Sequence, residues 1–564
     1  MDEIVPLPVL LPLLAVGAKF IIGPRRPQLQ GTISMLVLIA DTVISIVLLV
    51  WADRHGPLVV QIGGYGAPMG ISLVVDRLSG LMIAVSSVVT LAVLIYSQSQ
   101  GSDEEDAGAP LAVFYPAYLI MVAGVADTFL AGDLFNLFVG FEIMLTASYV
   151  LMTVGGTRDR IRSGAVYIMV GIASSLLFMA AIAVTYAAAG TVNLAQLAER
   201  LGHLPANIRL AINLLLFVVF AVKAAAFPLS AWLPDSYPTA PAPVTAVFAG
   251  LLTKVGVYCV IRTQTLLFPD RQLRGVMLVV AGLSMLLGIA GAVAQADLKR
   301  LLSFTLISHV GYLFLGIALG SVRALAGALF YAAHHITVQT SLFLVTGLIE
   351  RREGTGDIGR ISGLARAAPI LAVLFFLPAM NLAGIPPFSG FLAKLVLLQA
   401  AAADGHAAAL TLLAAALLTS LLTLYAMAKV WSRAFWRDRD EAGAPGEHQV
   451  VLPGGAGVSV VVRRGSRGAI GIGGQRLARS ESYPPGMLAA TCALVVVSLG
   501  FTVWAGPITA FTQRAAVELG DRDVYISAVQ RASGLSGLPA LPTAQVPVAP
   551  TAPSAAAQAR GGGR

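Results

Sequence analysis

Residues 214–235 read LLLFVVFAVKAAAFPLSAWLPD and combine an apolar run, a lysine and two prolines in one stretch. A helix needs about 20 mainly apolar residues to cross a bilayer. Lys223 lies deep in the apolar run, and Pro228 and Pro234 follow it. Proline removes a backbone donor that lipid cannot replace, so such a break survives only where protein or water satisfies the backbone. The stretch therefore predicts a membrane helix that is interrupted beside a buried charge.

The composition of the whole chain is that of a membrane protein. Of its 564 residues, 57% are hydrophobic and only 12% are charged, and the mean hydropathy is +0.82. A soluble domain carries about 25% charged residues, and a disordered chain would be far less hydrophobic. Alternation with a period of two is not dominant, which argues against a transmembrane barrel. We predict an all-α polytopic protein of the cell membrane, inner or plasma.

Charge and cysteine content exclude several partners. The formal net charge of +8 is typical of positively charged cytoplasmic loops rather than of nucleic-acid binding. The two cysteines, Cys259 and Cys492, are too few for an iron–sulfur cluster. We expect no nucleic-acid partner, no metal and no cofactor.

The apolar runs predict about fourteen transmembrane helices, with the N-terminus outside. The predicted spans lie near 4–22, 31–51, 70–97, 111–131, 134–154, 164–189, 208–231, 241–262, 275–294, 301–320, 324–349, 369–399, 407–436 and 487–507. A short external hairpin is expected within 54–69. The predicted divisions are N-terminal transmembrane helices at 1–110, a core at 111–436, a cytoplasmic Gly-rich insertion at 437–485, a last transmembrane helix at 486–510 and a disordered tail at 529–564.

Four charges within the apolar spans point to ion movement: Glu142, Lys223, Lys254 and Lys394. Each costs about 2.5–3.5 kcal/mol at a helix centre on insertion scales. One carboxylate cannot neutralise three ammonium groups, so protons or ions must do so. Buried lysines near a glutamate exchange protons near neutral pH more readily than surface lysines do. The alternative is that these charges only pair and hold helices together.

Histidines add titratable groups to this set. His334 and His335 lie inside the predicted span 324–349, and His309 lies in the preceding one. Their ordinary pKa suits proton relay at physiological pH. Core imidazoles with satisfied hydrogen bonds, or axial ligands of a haem, are the alternative interpretations.

A second interrupted helix predicts an internal repeat. The segment GIPPFSG at 384–390 precedes Lys394, whereas Lys223 precedes the first break. Discontinuous helices at corresponding positions of two halves are typical of inverted repeats with ion sites at mid-membrane. We predict two inverted five-helix repeats, at about 111–262 and 275–436, and two broken helices.

Several motifs resemble a known family. The segments KAAAFPLSAWLPD at 223–235, APAPV at 240–244 and KVGVY at 254–258 resemble the antiporter-like family. This family includes the subunits of Mrp-type cation/proton antiporters and the large membrane subunits of respiratory complex I. The resemblance runs from about 70 to 436. The segments GDLFNLF at 132–138 and EIMLTASY at 142–149 look most like the D subunits of the Mrp group.

The resemblance implies roles for matched positions. It makes Glu142 the acid of the fifth helix, Lys223 its partner on the seventh, Lys254 the relay residue of the eighth, His334 or His335 that of the eleventh, and Lys394 the terminal residue of the twelfth. Gln339 stands where many relatives have a lysine, which is a departure in the eleventh helix.

The function that the resemblance implies is proton translocation in one subunit of a multi-subunit Na+/H+ antiporter. Its partners would be other antiporter subunits, the lipid bilayer, H+ and Na+. The alternative is a proton-pumping membrane subunit of an NADH:quinone oxidoreductase or of a membrane hydrogenase, without a redox centre of its own. A purely structural membrane scaffold is disfavoured by the buried charges.

Overall fold

The computed structural model describes residues 1–23, 25–100, 111–438 and 483–534. These residues form helices almost throughout, with one two-stranded hairpin. In chain order the helices are α1 (Leu7–Ile22), α2 (Pro27–His55), α3 (Arg77–Ser99), α4 (Leu111–Leu130), α5 (Leu134–Thr153), α6 (Arg158–Ala189), α7 (Leu194–Arg200), α8 (Ala206–Ala224), α9 (Leu233–Ser236), α10 (Ala242–Leu267), α11 (Arg274–Ala294), α12 (Leu298–Leu319), α13 (Val322–Glu353), α14 (Leu364–Ala367), α15 (Pro369–Ala383), α16 (Ser389–Asp404), α17 (Ala407–Trp436), α18 (Pro485–Val503), α19 (Ala505–Gly520) and α20 (Arg522–Ala532).

The prediction of an all-α polytopic membrane protein is confirmed. By length and composition, twelve helices of the described residues are suited to cross a membrane, and α1 and α15 are shorter apolar helices. The predicted total of fourteen spans and the two inverted repeats stay predictions, as do the domain divisions and the position of the N-terminus.

The burial of the helices separates a centre from a rim. The apolar windows of α10 and α13 are completely buried, whereas those of α2 and α17 are 28% buried. A helix that is apolar on all sides but covered on few of them is suited to contact with lipid. Lys254 of α10 and His334 and His335 of α13 are therefore held at the centre of the bundle, away from lipid.

Both predicted helix breaks are present. The helix α8 ends at Ala224, and Ala225 adopts a left-handed conformation with φ of 55°. The predicted span 369–399 is two helices, because α15 ends at Ala383 and α16 begins at Ser389. The prolines between them cannot continue a helix.

A hairpin is present near the predicted position, but it reaches further along the chain than predicted. Its strands β1 (Leu58–Gln61) and β2 (Ser72–Val75) pair antiparallel, with Leu58 opposite Val75. The predicted start of the third span at 70 is wrong, since β2 occupies that segment. The third span begins instead at Arg77, where Asp76 caps α3 in a capping box with Ser79.

The helices α19 and α20 pack over the hairpin side of the bundle. Because they contact α2, α3 and β1, we call them the C-terminal clamp. Arg77 binds Asp53 at 2.9 Å and also Glu518 of α19. Arg514 binds Asp53 at 2.6 Å. The hydroxyl of Ser533 accepts a hydrogen bond from the amide of Gln61 at 3.0 Å. Segments from both ends of the described chain are thereby joined.

The predicted insertion and tail lie mostly outside the described residues. Of the insertion at 437–485, residues 439–482 are not described, and of the tail at 529–564, residues 535–564 are not described. The prediction of disorder is wrong for 529–532, since these residues complete α20 and Val529 is buried.

Replacement of Arg262 by Met should destabilise the fold. The Arg262 guanidinium binds both oxygens of Asp76, at 2.5 and 2.8 Å, and both residues are buried. Removing one partner of a buried pair costs about 3–5 kcal/mol, because the other charge is left uncompensated. Thermal unfolding of the purified protein in detergent measures this loss, and the double variant Asp76→Asn/Arg262→Met should recover part of it. The exposed pair of Arg366 and Asp438 supplies the control, because Arg366→Ala should leave the transition unchanged. Equal losses for the two arginine variants would contradict this assignment.

Candidate functional site

Glu142 and Lys223 are brought together, but a third residue joins them. Glu142 lies at the middle of α5 and is half-buried. The hydroxyl of Ser175, on α6, donates a hydrogen bond to the Glu142 carboxylate. Lys223 Nζ donates to the same hydroxyl at 3.4 Å and lies 5.6 Å from the centre of the Phe141 ring. The predicted pair is therefore a three-residue chain of Glu142, Ser175 and Lys223.

A small cavity adjoins Lys223. Its volume is about 20 Å³, and its lining includes Lys223, Ser174, Trp232, Tyr237 and Leu252. Three polar atoms of that lining have no hydrogen-bond partner within the described chain: Ser174 Oγ, Trp232 Nε1 and Tyr237 Oη. A cavity of this size with several free polar groups is suited to a water molecule.

Lys254 lies at a local change of helix geometry. Residues Phe248–Leu252 of α10 form a π-helical turn, which widens the helix by one residue. Lys254 is completely buried, and its Nζ donates to the carbonyl of Ala249 in that turn at 2.6 Å. The lysine is thus held by its own helix and has no ion-pair partner among the described residues.

The histidines form a buried aromatic cluster between α12 and α13. The Tyr331 hydroxyl and His309 Nδ1 are 2.5 Å apart, and the rings of His309 and His335 are stacked with their centres 5.1 Å apart. His334 Nδ1 lies 3.0 Å from the hydroxyl of Ser389, at the start of α16. Both ring nitrogens of His335 are without a partner in the described chain. The cluster offers several groups that can exchange a proton.

Lys394 closes the second helix break. Its Nζ donates to the carbonyls of Leu382 and Ala383 at 3.0 and 3.1 Å, which are the last carbonyls of α15. A cation is favourable there because carbonyls at a helix C-terminus carry partial negative charge. The same ammonium lies 5.0 Å from the centre of the Tyr312 ring.

The six predicted site residues therefore fall into three places. Glu142 and Lys223 lie in the first, and His334, His335 and Lys394 lie around α13 and the second break. Lys254 lies on α10, two residues after Leu252, which lines the Lys223 cavity. Gln339 donates to the carbonyl of Leu302 at 2.8 Å, so at this position α13 has a neutral amide.

Sequence reasoning missed several buried ionisable and hydroxyl side chains. The count of four charges within spans was wrong, because Lys19, Asp41 and Asp127 are also buried in α1, α2 and α4. A search for any ionisable residue within the predicted spans would have found them. Ser175 and Tyr331 could not be found this way, because hydroxyl groups are common in buried helices and carry no distinguishing pattern.

The described residues contain no group of three or more histidine, cysteine or acidic side chains that could hold a metal ion. The predicted site residues and their polar neighbours offer mainly oxygen and nitrogen atoms of lysine, histidine, tyrosine and serine instead. Such groups can pass protons between neighbours.

Fold and site together define a class of polytopic helical proteins with titratable groups along a buried axis and helices broken beside them. The chain belongs to the NADH:quinone oxidoreductase/Mrp antiporter transmembrane family, whose model matches residues 131–423. The resemblance inferred from the motifs is thereby confirmed.

Individual relatives narrow the comparison. The chain is 40% identical over 442 residues to the D subunit of the Na+/H+ antiporter of Alkalihalophilus pseudofirmus, a match that covers 78% of this chain and 88% of that protein. It is 33% identical to the D subunit of the Na+/H+ antiporter of Bacillus subtilis, over 79% of this chain and 89% of that one. Among solved structures, a chain of the Mrp complex from Dietzia is 32% identical with a TM-score of 0.80, over 94% of this chain and 99% of that chain. A chain of respiratory complex I from Thermus thermophilus shares the fold, with 24% identity and a TM-score of 0.71, over 92% of this chain and 100% of that chain.

Replacement of Gly390 by Ala should disturb the second break. A Cβ atom at this position would collide with the backbone carbonyl oxygen of Asn381 and would lie 3.0 Å from His334 Nε2. Overpacking of this kind costs about 1–3 kcal/mol, so the thermal transition in detergent should move to lower temperature. Gly506→Ala is the matched control, because a Cβ there meets nothing within 4 Å. A transition for Gly390→Ala equal to that of the control would show that the break is not rigidly packed.

Proposed function

We propose that this chain is the proton-translocating subunit of a multi-subunit monovalent cation/proton antiporter, equivalent to the D subunits of its relatives. The observation that carries the proposal is the buried succession of titratable groups from Glu142 on α5 to Lys394 on α16. The relatives named as Na+/H+ antiporter subunits, at 40% and 33% identity, support the choice of antiporter. As a transporter subunit, the chain would catalyse no chemical reaction of its own.

The first section of the route would act as a switch. With Glu142 ionised, Ser175 donates to the carboxylate and accepts from the protonated Lys223. When a proton reaches Glu142, it removes the negative charge toward which the Ser175 hydroxyl and the Lys223 ammonium are oriented. Lys223 is then free to give its own proton to the cavity beside it, where a water molecule fits.

The second section would carry the charge toward α16. Leu252 lines the Lys223 cavity, and Lys254 follows two residues later on the same helix. From Lys254, the stacked His335 and His309 lead to Tyr331, and Tyr312 lies between that ring and Lys394. From His335 to Lys394, each step is a contact between neighbouring side chains.

The proposed partners are the other subunits of the same membrane complex, together with H+ and Na+. The alternative reading, a proton-pumping subunit of a quinone-reducing complex, is supported by the chain of respiratory complex I, which is 24% identical and shares the fold alone. The complex therefore has to be tested as assembled, with its partner subunits present.

Glu142→Gln and Lys223→Arg should both abolish Na+-dependent proton flux in everted vesicles that contain the whole complex. Gln keeps the size and polarity of Glu142 but has no titrating group. Arg keeps the positive charge of Lys223 but does not deprotonate at physiological pH, so the relay stalls. If the pair were purely structural, Lys223→Arg would retain flux, because the positive charge would be preserved.

The control for this pair is Lys299→Arg. Lys299 is a buried lysine that binds Glu350 at 2.8 Å and lies outside the proposed route. Arg preserves that pair, so flux should stay close to that of the unmodified complex. Near-normal flux from Lys223→Arg, at matched subunit levels on an immunoblot, would refute the relay.

Ser175→Ala should lower the same flux, whereas Ser175→Thr should retain most of it. Alanine removes the hydroxyl that joins Glu142 to Lys223, and threonine keeps one. Thr185→Val serves as the control on α6, because the Thr185 hydroxyl donates only to the carbonyl of Ala181 in its own helix. If Ser175→Ala transports as well as Thr185→Val, the carboxylate and the lysine communicate without the hydroxyl.

A further inference from the structure

Asp41 is a buried carboxylate that does not belong to the route described above and has no assigned role. Asp41 is at the middle of α2 and is 2% exposed. It forms no ion pair and no hydrogen bond with any residue that the structure describes, and its Oδ1 is fully buried and unpartnered. An isolated ionised carboxylate in an apolar interior is strongly unfavourable, so Asp41 must either be protonated or be paired with a cation.

The Asp41 carboxylate lines a small cavity. A cavity of about 10 Å³ lies between α2, α3 and α4, and Asp41 lines it. This volume is near the lower limit for one water molecule. The cavity therefore has room for a single small ion without a hydration shell.

The polar part of the lining consists of oxygen atoms. Ser45 stands one turn from Asp41 on α2, and Ser86, Ser87 and Thr90 project from one side of α3. The Ser87 and Thr90 hydroxyls donate to the carbonyls of Ala84 and Ser87 at 2.9 and 3.1 Å. Their protons are thus engaged, and their lone pairs remain available to a cation.

The rest of the wall is apolar. Val122, Val125, Ala126 and Phe129 of α4 close one side, and Ile83 and Pro8 complete the enclosure. The buried lysine on α1, Lys19, cannot neutralise Asp41, because it binds Ser34, seven residues or about 10 Å along α2 from Asp41. The site combines one negative charge with hydroxyl oxygens and no nitrogen donor.

We propose that Asp41, Ser45, Ser86, Ser87 and Thr90 form a binding site for one dehydrated sodium ion. Hard cations prefer carboxylate, hydroxyl and carbonyl oxygens. A single carboxylate balances one positive charge, which favours a monovalent ion, and the small volume favours sodium over larger cations.

The test is a binding measurement on the purified complex with all its subunits. Binding of radioactive sodium at constant ionic strength should show one site per complex that is weakened about tenfold or more by Asp41→Asn, because a charged ligand is lost. Ser86→Ala should weaken it less. Thr42→Val is the matched control, since the Thr42 hydroxyl donates to the carbonyl of Leu38 and does not line the cavity.

Three outcomes would overturn the proposal. One is equal sodium binding by Asp41→Asn and Thr42→Val. Another is equal competition for the site by sodium and potassium. The third is an infrared band of a protonated carboxyl that disappears in Asp41→Asn and does not respond to sodium, which would make Asp41 a proton site. If the complex with Asp41→Asn does not assemble, the sodium binding of Ser86→Ala is compared with that of Thr42→Val instead.

The site and the proposed function can fail independently. Flux through Glu142→Gln tests the proton route, whereas sodium binding tests the Asp41 site. Loss of flux with unchanged sodium binding in Glu142→Gln would support both. Unchanged flux in Glu142→Gln would refute the route and leave the binding result to be judged separately.

Discussion

The hydrogen bonds at the second helix break are the constraint on which the rest of the arrangement depends. Lipid cannot satisfy a backbone group, so a helix that stops inside a membrane needs protein partners for every free amide and carbonyl. At the end of α15, Lys394 supplies donors to two carbonyls. At the start of α16, Asn381 Oδ1 accepts from the amide of Gly390 at 2.9 Å, and Thr502 Oγ1 accepts from that of Ser389 at 2.9 Å. The break and the charge compensate each other, since neither would be stable in lipid alone.

The same principle explains where a second lysine lies. Lys254 is bound to a carbonyl of a π-helical turn. Lys254 and Lys394 thus sit beside backbone carbonyls rather than beside carboxylates, whereas Lys223 donates to the Ser175 hydroxyl that joins it to Glu142. A carbonyl stabilises a positive charge less than a carboxylate does, so the charge is held without being trapped. That intermediate strength suits a site that must both take up and release a proton.

The sequence was most informative about the backbone and least informative about neutral side chains. Prolines at 228, 386 and 387 predicted both breaks because proline lacks the amide donor of a regular helix turn. Glu142 and the three lysines were recognisable because charge is rare in apolar runs. Ser175 was invisible, since its importance comes only from lying between residues 142 and 223. Asp41 was recognisable by the same criterion, since it is an acid within an apolar span, but it was overlooked. The third span was placed too early, since β2 reads SLVV and is as apolar as a helix.

The C-terminal clamp has a consequence for how the protein is made. Arg77 and Glu518 are 441 positions apart in the chain, and Gln61 and Ser533 are 472 apart. The ribosome releases the first helices into the membrane long before it has synthesised α19 and α20, so these contacts must form last. Until then, Asp53 and Arg77 stand open to water at the hairpin side. A chain interrupted during translation therefore exposes charges that the finished chain covers. Incomplete copies thus differ from complete copies in the charges on their surface.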